Sequence, residues 1–137
     1  MVGPPRAAAC SEVDARSRLK AAKAYLEVAE LVLAGTSNDQ YAAVACSLAV
    51  LAGIAASDAL TCLRLGLVHR GENHQGAAAL VEGAVPDGQK VASTLRRLLA
   101  SKDASNYRLT PLSMQRTRDA VRWARLLVER AQGELEA

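Results

Sequence analysis

The stretch from Tyr41 to Ser57 contains no charged residue, and this feature constrains the fold more than any other. It is rich in alanine and includes serine and cysteine, and Asp58 and Arg64 follow it closely. A membrane-spanning helix needs about 20 strongly apolar residues. A helix that is apolar on every side, but weakly so, is typical of the buried centre of a helical protein. The stretch therefore predicts a core helix.

The composition favours an all-α protein. Half of the 137 residues are apolar and only 3% are aromatic, with 28 alanines and a single isoleucine. The apolar content excludes a disordered chain, and a β-sandwich would need more Val, Ile, Thr and aromatic residues. Ala, Leu, Arg and Glu are strong helix formers. The length fits a single domain.

Apolar residues recur at steps of three and four along most of the chain, and capping residues set the expected helix ends. Ser11 and Gly35 bound the first helix, and Asn38 and Gly66 bound the second. We predict a four-helix up-and-down bundle with a broken third helix, in one domain over residues 11–135 after a flexible lead over 1–10. The remaining predicted helices cover 74–82, then 87 or 89 to 101 or slightly beyond, and a last one capped by Thr110 with Pro111 at its first position.

The cysteines Cys10, Cys46 and Cys62 are odd in number and form no CxxC motif. Two of them fall in apolar helical sequence, where cysteine usually acts as a small buried hydrophobe. We expect reduced thiols in a cytoplasmic protein. The start, MVGPPRAAAC, carries Gly and Pro where a signal peptide needs its apolar region, so none is predicted.

Positive charge is concentrated in residues 96–130, which have a net charge of +6. This segment could bind a phosphate backbone. The favoured alternative is a solvated face with local pairs such as Arg125 and Glu129. Its basic residues are Arg96, Arg97, Lys102, Arg108, Arg116, Arg118, Arg122, Arg125 and Arg130.

Three short motifs carry a family resemblance. They are Ala56-Ser57-Asp58-Ala59 in the apolar helix, Lys102-Asp103 followed by Tyr107, and Asp119-Ala120 leading to Ala124-Arg125-Leu126-Leu127. With these motifs the chain resembles, over about residues 15–132, the HEPN family of small helical bundles found in bacterial toxin–antitoxin and nucleotide-defence systems. It is similar to small stand-alone members of actinobacterial type.

The resemblance implies a homodimer with a cleft between protomers, and an antitoxin or nucleotidyltransferase partner. Family RNases are metal-independent and carry an Arg, a polar residue and then a His. Lys102 matches the Arg, Asp103 the polar residue and Tyr107 a tyrosine often found beside the His, whereas Asn106 stands where the His belongs. Asn cannot exchange a proton near neutral pH, so we expect RNA or nucleotide binding without turnover and without a cofactor. The residues expected to make this contact are Asp58, Arg96, Arg97, Asp103, Asn106 and Arg108.

Two alternatives remain open. His74 could rebuild an active RNase together with Lys102 and Tyr107, because an imidazole can serve in acid–base chemistry. The chain could instead be a helical interaction module without a nucleic-acid role. For the binding protein and for the rebuilt RNase alike, Asp58, His74, Lys102, Asp103 and Tyr107 should converge on one groove.

Two further patterns carry little weight. Arg64 and His69 have the family spacing, but they lie at the end of the wrong helix. Metal binding by Asp58, His69, Glu72 and His74 follows no known ligand spacing.

Overall fold

Five helices and one pair of short strands make up the part of the chain that the structure describes. The structure is a computed structural model and describes residues 6–35, 37–71, 73–107 and 113–137; the side chains of 39 and 103–107 lie outside this description. In chain order the elements are β1 (Ala7–Ala9), α1 (Glu12–Ala34), α2 (Asp39–Leu65), β2 (Leu67–His69), α3 (Gln75–Glu82), α4 (Gly88–Tyr107) and α5 (Met114–Glu136). The predicted all-α class is confirmed.

Capping fixes the ends of the first two helices where the sequence predicts them. The Ser11 hydroxyl accepts from the Asp14 N–H, and the Asp14 carboxylate accepts from the Ser11 N–H at 2.9 Å. Asn38 accepts from the Gln40 N–H at 2.8 Å. Helix α2 ends at Gly66, whose φ of +67° lies in the left-handed region that favours glycine. These bonds satisfy backbone groups that a helix end leaves without partners.

Helix α2 is the centre of the core and contacts α1, α3, α4 and α5. Its small side chains allow close approach: a Cβ added to Gly53 would collide with Leu98 of α4 and press against Leu127 of α5. The fully or almost fully buried alanines of α2 are Ala42, Ala45, Ala49, Ala52, Ala55, Ala56 and Ala59.

Among the described helices, only α2 has a segment, Gln40–Leu65, whose length and apolar composition would suffice to cross a membrane. Most of that segment is buried inside the protein, in keeping with the predicted core helix.

Two strands occupy places where the sequence predicts none. Ala7–Ala9 falls within the predicted flexible lead and pairs antiparallel with Leu67–His69, Ala8 opposite Val68. The Cys10 N–H donates to the Gly66 carbonyl at 3.0 Å, which extends the pairing toward α1. Ala-rich β1 has no strand periodicity of its own. The pairing forms because the antiparallel α1–α2 hairpin brings its two outer ends together.

The prediction that all three cysteines are reduced thiols is wrong for two of them. Cys10 and Cys62, which are 52 positions apart in the sequence, form a disulfide with their Cα atoms 5.9 Å apart. The two helices run antiparallel, so Cys10, two residues before α1, meets the last turn of α2. Cys46 keeps a buried thiol, as predicted, and its Sγ lies 3.9 Å from the Ser101 carbonyl oxygen.

The later helices differ from prediction at their ends. Helix α4 continues to Tyr107, so the backbone of 102–107 is helical rather than a transition to a loop. Helix α5 is capped by Ser113, whose hydroxyl accepts from the Arg116 N–H at 3.2 Å. The predicted cap Thr110 and Pro111 lie outside the described residues. Helices α3 and α4 are separate, as the predicted break requires.

Candidate functional site

Asp58 is a carboxylate on the otherwise apolar inner part of α2, and its side chain is 17% exposed. Arg18 of α1 donates from Nη2 to Asp58 Oδ2 at 3.0 Å. Arg18 precedes the buried Leu19, so the helix holds its guanidinium at the edge of the α1–α2 contact. A carboxylate this deep needs a cation beside it, because an unpaired buried charge is costly.

Burial raises the pKa of the Asp58 carboxyl, and the nearby Arg18, His69 and Arg70 oppose that rise. Arg18 has the largest opposing effect, through both its charge and its hydrogen bond. The carboxylate therefore faces positive groups from α1 and from the segment that follows α2.

A cavity of about 390 Å³ opens beside this ion pair. Strand β1 and the start of α1 form one side of it, and β2 forms the other. Its lining consists of Ala9, Cys10, Asp14, Ser17, Arg18, Asp58, Val68, His69 and Arg70.

The two carboxylates of this cavity are already engaged within the chain. Asp14 accepts from Ser11, which also lowers the pKa of its carboxyl, and Asp58 accepts from Arg18. Among the described residues, the Arg70 guanidinium makes no hydrogen bond or ion pair, and Arg18 donates from one nitrogen alone. The cavity therefore has hydrogen-bond donors to spare and favours an acceptor-rich ligand.

His69 is held in one orientation. Its Nε2 lies 2.8 Å from the Asn73 carbonyl oxygen, and because a carbonyl can only accept, Nε2 carries the hydrogen. A Cβ on Gly71 or Gly76 would collide with the His69 ring, so a side chain at either position would displace the ring. In the neutral ring, Nδ1 then keeps a lone pair.

His74 precedes α3, and its side chain makes no capping bond there. Burial, followed by the charges of Lys102 and His69, lowers the pKa of His74, and Asp58 opposes this effect. The imidazole is thus biased toward its neutral form, and it lies within electrostatic range of both Asp58 and Lys102. We call the cavity-lining set Arg18, Asp58, His69 and Arg70 the Asp58 site.

The other predicted site residues lie elsewhere or outside the description. Arg96 pairs with Glu82 at 2.7 Å, and Arg97 lines a separate cavity between α4 and α5. Arg108 and the side chains of Asp103, Asn106 and Tyr107 lie outside the described residues.

Arg64 and His69 do not share a cavity in the described structure. Arg64 pairs with Glu134 at 2.9 Å and lines a different cavity near the end of α5. Their family-like spacing therefore does not join them into a site.

In the part of the chain that the structure describes, no group of three or more His, Cys, Asp or Glu side chains could hold a metal ion. No protein-family model matches the chain. No curated protein is significantly similar to it.

Sequence reasoning missed Arg18 and Arg70 and set His69 aside. A signal for Arg18 was present, because a cation beside the buried stripe of α1 faces the antiparallel neighbour that carries Asp58. His69 and Arg70 offered no comparable signal, since β2 exists only through its pairing with β1.

Proposed function

We propose that this protein is a HEPN-like four-helix bundle, with α3 and α4 as the broken third member, that binds RNA or a nucleotide without cleaving it. One observation carries the proposal. The cavity of the Asp58 site has spare guanidinium donors while its two carboxylates are already bonded within the chain. Phosphate oxygens accept several hydrogen bonds at once and match the forked geometry of arginine.

The lack of turnover follows from Asn106, which offers no titratable proton at the position where family RNases carry histidine. Removing a general acid or base typically costs 10²–10⁴-fold in rate. We therefore expect faint RNA cleavage by the natural sequence. Asn106→His should raise it, and the rise should persist in EDTA because the proposed chemistry uses no metal.

Binding is tested with a fluorescein-labelled single-stranded RNA by fluorescence anisotropy over a range of salt concentrations. Arg70→Ala removes a guanidinium without a described partner, so the fold should be unaffected. We expect several-fold weaker binding and a salt slope reduced by about one. Arg16→Ala is the matched control, because Arg16 pairs with Glu12 on the exposed side of α1. Equal affinities for wild type and Arg70→Ala would contradict this use of the cavity.

The lowered pKa of His74 supports a second candidate, an active metal-independent RNase using His74 with Lys102 and Tyr107. A neutral imidazole can accept the proton of a ribose hydroxyl, and a neighbouring cation can stabilise the phosphate charge. Strong cleavage by the natural protein, lost in His74→Ala, would favour this enzyme over the binding protein.

The proposal includes a homodimer and, in the cell, an antitoxin or nucleotidyltransferase partner. Exposed apolar side chains on α1 and α2 supply a surface for such contacts, namely Val28, Leu31, Tyr41, Val44 and Leu51. Sedimentation at tens of micromolar protein should give a dimer, and a monomer would remove this part. If the protein binds no RNA at any salt concentration, a protein-interaction module would be favoured instead.

A further inference from the structure

The described arginines of the basic segment, which are all of its arginines except Arg108, fall into two groups. Four of them pair with carboxylates: Arg96 with Glu82, Arg122 with Asp119, Arg125 with Glu30 and Arg130 with Asp87, at 2.7 to 3.4 Å. The side chains of Arg97, Arg116 and Arg118 make no hydrogen bond or ion pair in the described structure. Fewer arginines of this surface are therefore free to bind a ligand than the sequence indicates.

Arg97 and Arg116 line the same cavity, of about 230 Å³, between α4 and the start of α5. The only tryptophan of the chain, Trp123, lies in the same lining. Trp123 is partly buried and packs against the core, which restricts the motion of its ring. We call this set Arg97, Ser101, Arg116 and Trp123 the Trp123 groove.

The carboxylate in this lining does not cancel the free cations. Asp119 accepts from Gln115 Nε2 at 3.0 Å and from Arg122 Nη2 at 3.4 Å, so its charge is offset locally. An aromatic ring and two spare guanidiniums remain. That combination suits a ligand with a flat ring and a phosphate.

We propose that the Trp123 groove binds one nucleotide unit, with the base stacked on Trp123 and the phosphate held by Arg97 and Arg116. This inference rests on the proposed RNA or nucleotide binding and names the form that is bound. A base inside a duplex has both faces covered, so the groove selects unpaired nucleotides.

The single tryptophan makes the test direct, because stacking on Trp123 quenches its fluorescence without any substitution. The full chain is titrated with an eight-nucleotide oligoadenylate, the matching RNA duplex, adenosine monophosphate, inorganic phosphate and a polyglutamate peptide. We expect saturable quenching by the single strand and none by the duplex, phosphate or peptide. Quenching by the mononucleotide as well would support a free nucleotide as the ligand, and its absence would support a strand.

Arg97→Gln and Arg116→Gln should each weaken the quenching titration about tenfold, within the range expected for one charge-assisted contact. Arg118→Gln is the matched control, because Arg118 lies on the same helix and has no described partner, but does not line the groove. Unchanged titrations in both groove variants would overturn the inference. So would quenching by polyglutamate but not by nucleotides.

The two proposals fail in different ways. RNA binding that is weakened by Arg70→Ala, without any change in Trp123 fluorescence, overturns the groove and leaves the Asp58 site intact. Absence of RNA and nucleotide binding in both anisotropy and fluorescence overturns both.

Discussion

Arg18 of α1 and Asp58 of α2 form an ion pair of 3.0 Å that joins two helices across 40 positions of the sequence. The arginine side chain is 41% exposed and the aspartate 17%. The carboxylate therefore loses more of its hydration than the guanidinium does. Arg18 does not fully compensate for that loss, so the pKa of Asp58 is raised. The folded protein therefore disfavours the charged form of Asp58.

Asp58→Asn should make the protein more resistant to urea at pH 7. A carboxyl whose pKa is raised by folding stabilises the folded state below its unfolded value, near 3.8, and loses that contribution as the pH rises through the folded value. The asparagine of the variant does not ionise, so the variant does not lose this stability as the pH rises. Its advantage over wild type should therefore be present at pH 7 and disappear below about pH 3.8. An advantage that persists at low pH would contradict the assigned cause.

Asp87→Asn should have the opposite effect and make the protein less stable at pH 7. Two hydrogen bonds from Arg130, at 3.0 and 3.1 Å, lower the pKa of the Asp87 carboxyl. The resulting stability is present above about pH 3.8 and lost as the pH falls through the folded value. Because the pair is partly exposed, the loss at pH 7 should be below about 1 kcal/mol. Urea unfolding at pH 7 and at pH 3 should show a larger difference between wild type and variant at the higher pH.

Replacing the paired cysteines, Cys10→Ser or Cys62→Ser, should lower the free energy of unfolding by about 2–4 kcal/mol, as expected for a cross-link that closes a loop of this length. Dithiothreitol should destabilise the wild type by a similar amount and leave both variants unchanged. A wild type whose urea midpoint is the same with and without reductant would argue against the disulfide.

Gly53→Ala should destabilise the protein by about 1–3 kcal/mol, because its Cβ would collide with Leu98 where α2 crosses α4. Ala55→Leu and Ala59→Leu overpack other buried positions of α2 and should have costs in the same range. Gly133→Ala is the control. A Cβ there meets nothing within 4 Å, so the better helix former should leave stability unchanged or raise it by up to about 1 kcal/mol. Thermal unfolding measured by circular dichroism distinguishes these outcomes.

Local signals gave the helices with good accuracy. Helix α2 was predicted from Asn38 and Gly66 with the same ends as in the structure, because a cap is formed by residues a few positions apart. The same holds for the start of α1 at Ser11. Between α4 and α5 the chain offers more than one capping residue: Thr110 was the predicted cap, but Ser113 caps α5 in the structure, so the predicted start was displaced.

Contacts between distant residues were not predictable in this way. The β1–β2 pairing and the disulfide both depend on the antiparallel return of α2 beside α1. Arg125 illustrates the same limit: the local pair with Glu129 was the expected one, and the structure instead joins Arg125 to Glu30 of α1 at 2.7 Å. A spacing rule finds neighbours on one helix but gives no information about which helix packs alongside.

The alanine-built face of α2 makes the tolerance of the protein to substitution asymmetric. An alanine has no rotamers to lose, so this face is ordered with almost no cost in side-chain entropy, and truncation has only a methyl group to remove. In cores built from leucine or phenylalanine, the harmful changes are those that leave cavities. At the buried alanines of α2, the harmful changes are instead those that add side-chain volume. A scan of every substitution at the buried alanines from Ala42 to Ala59 should therefore rank variants by the volume gained, with serine tolerated far better than leucine or phenylalanine.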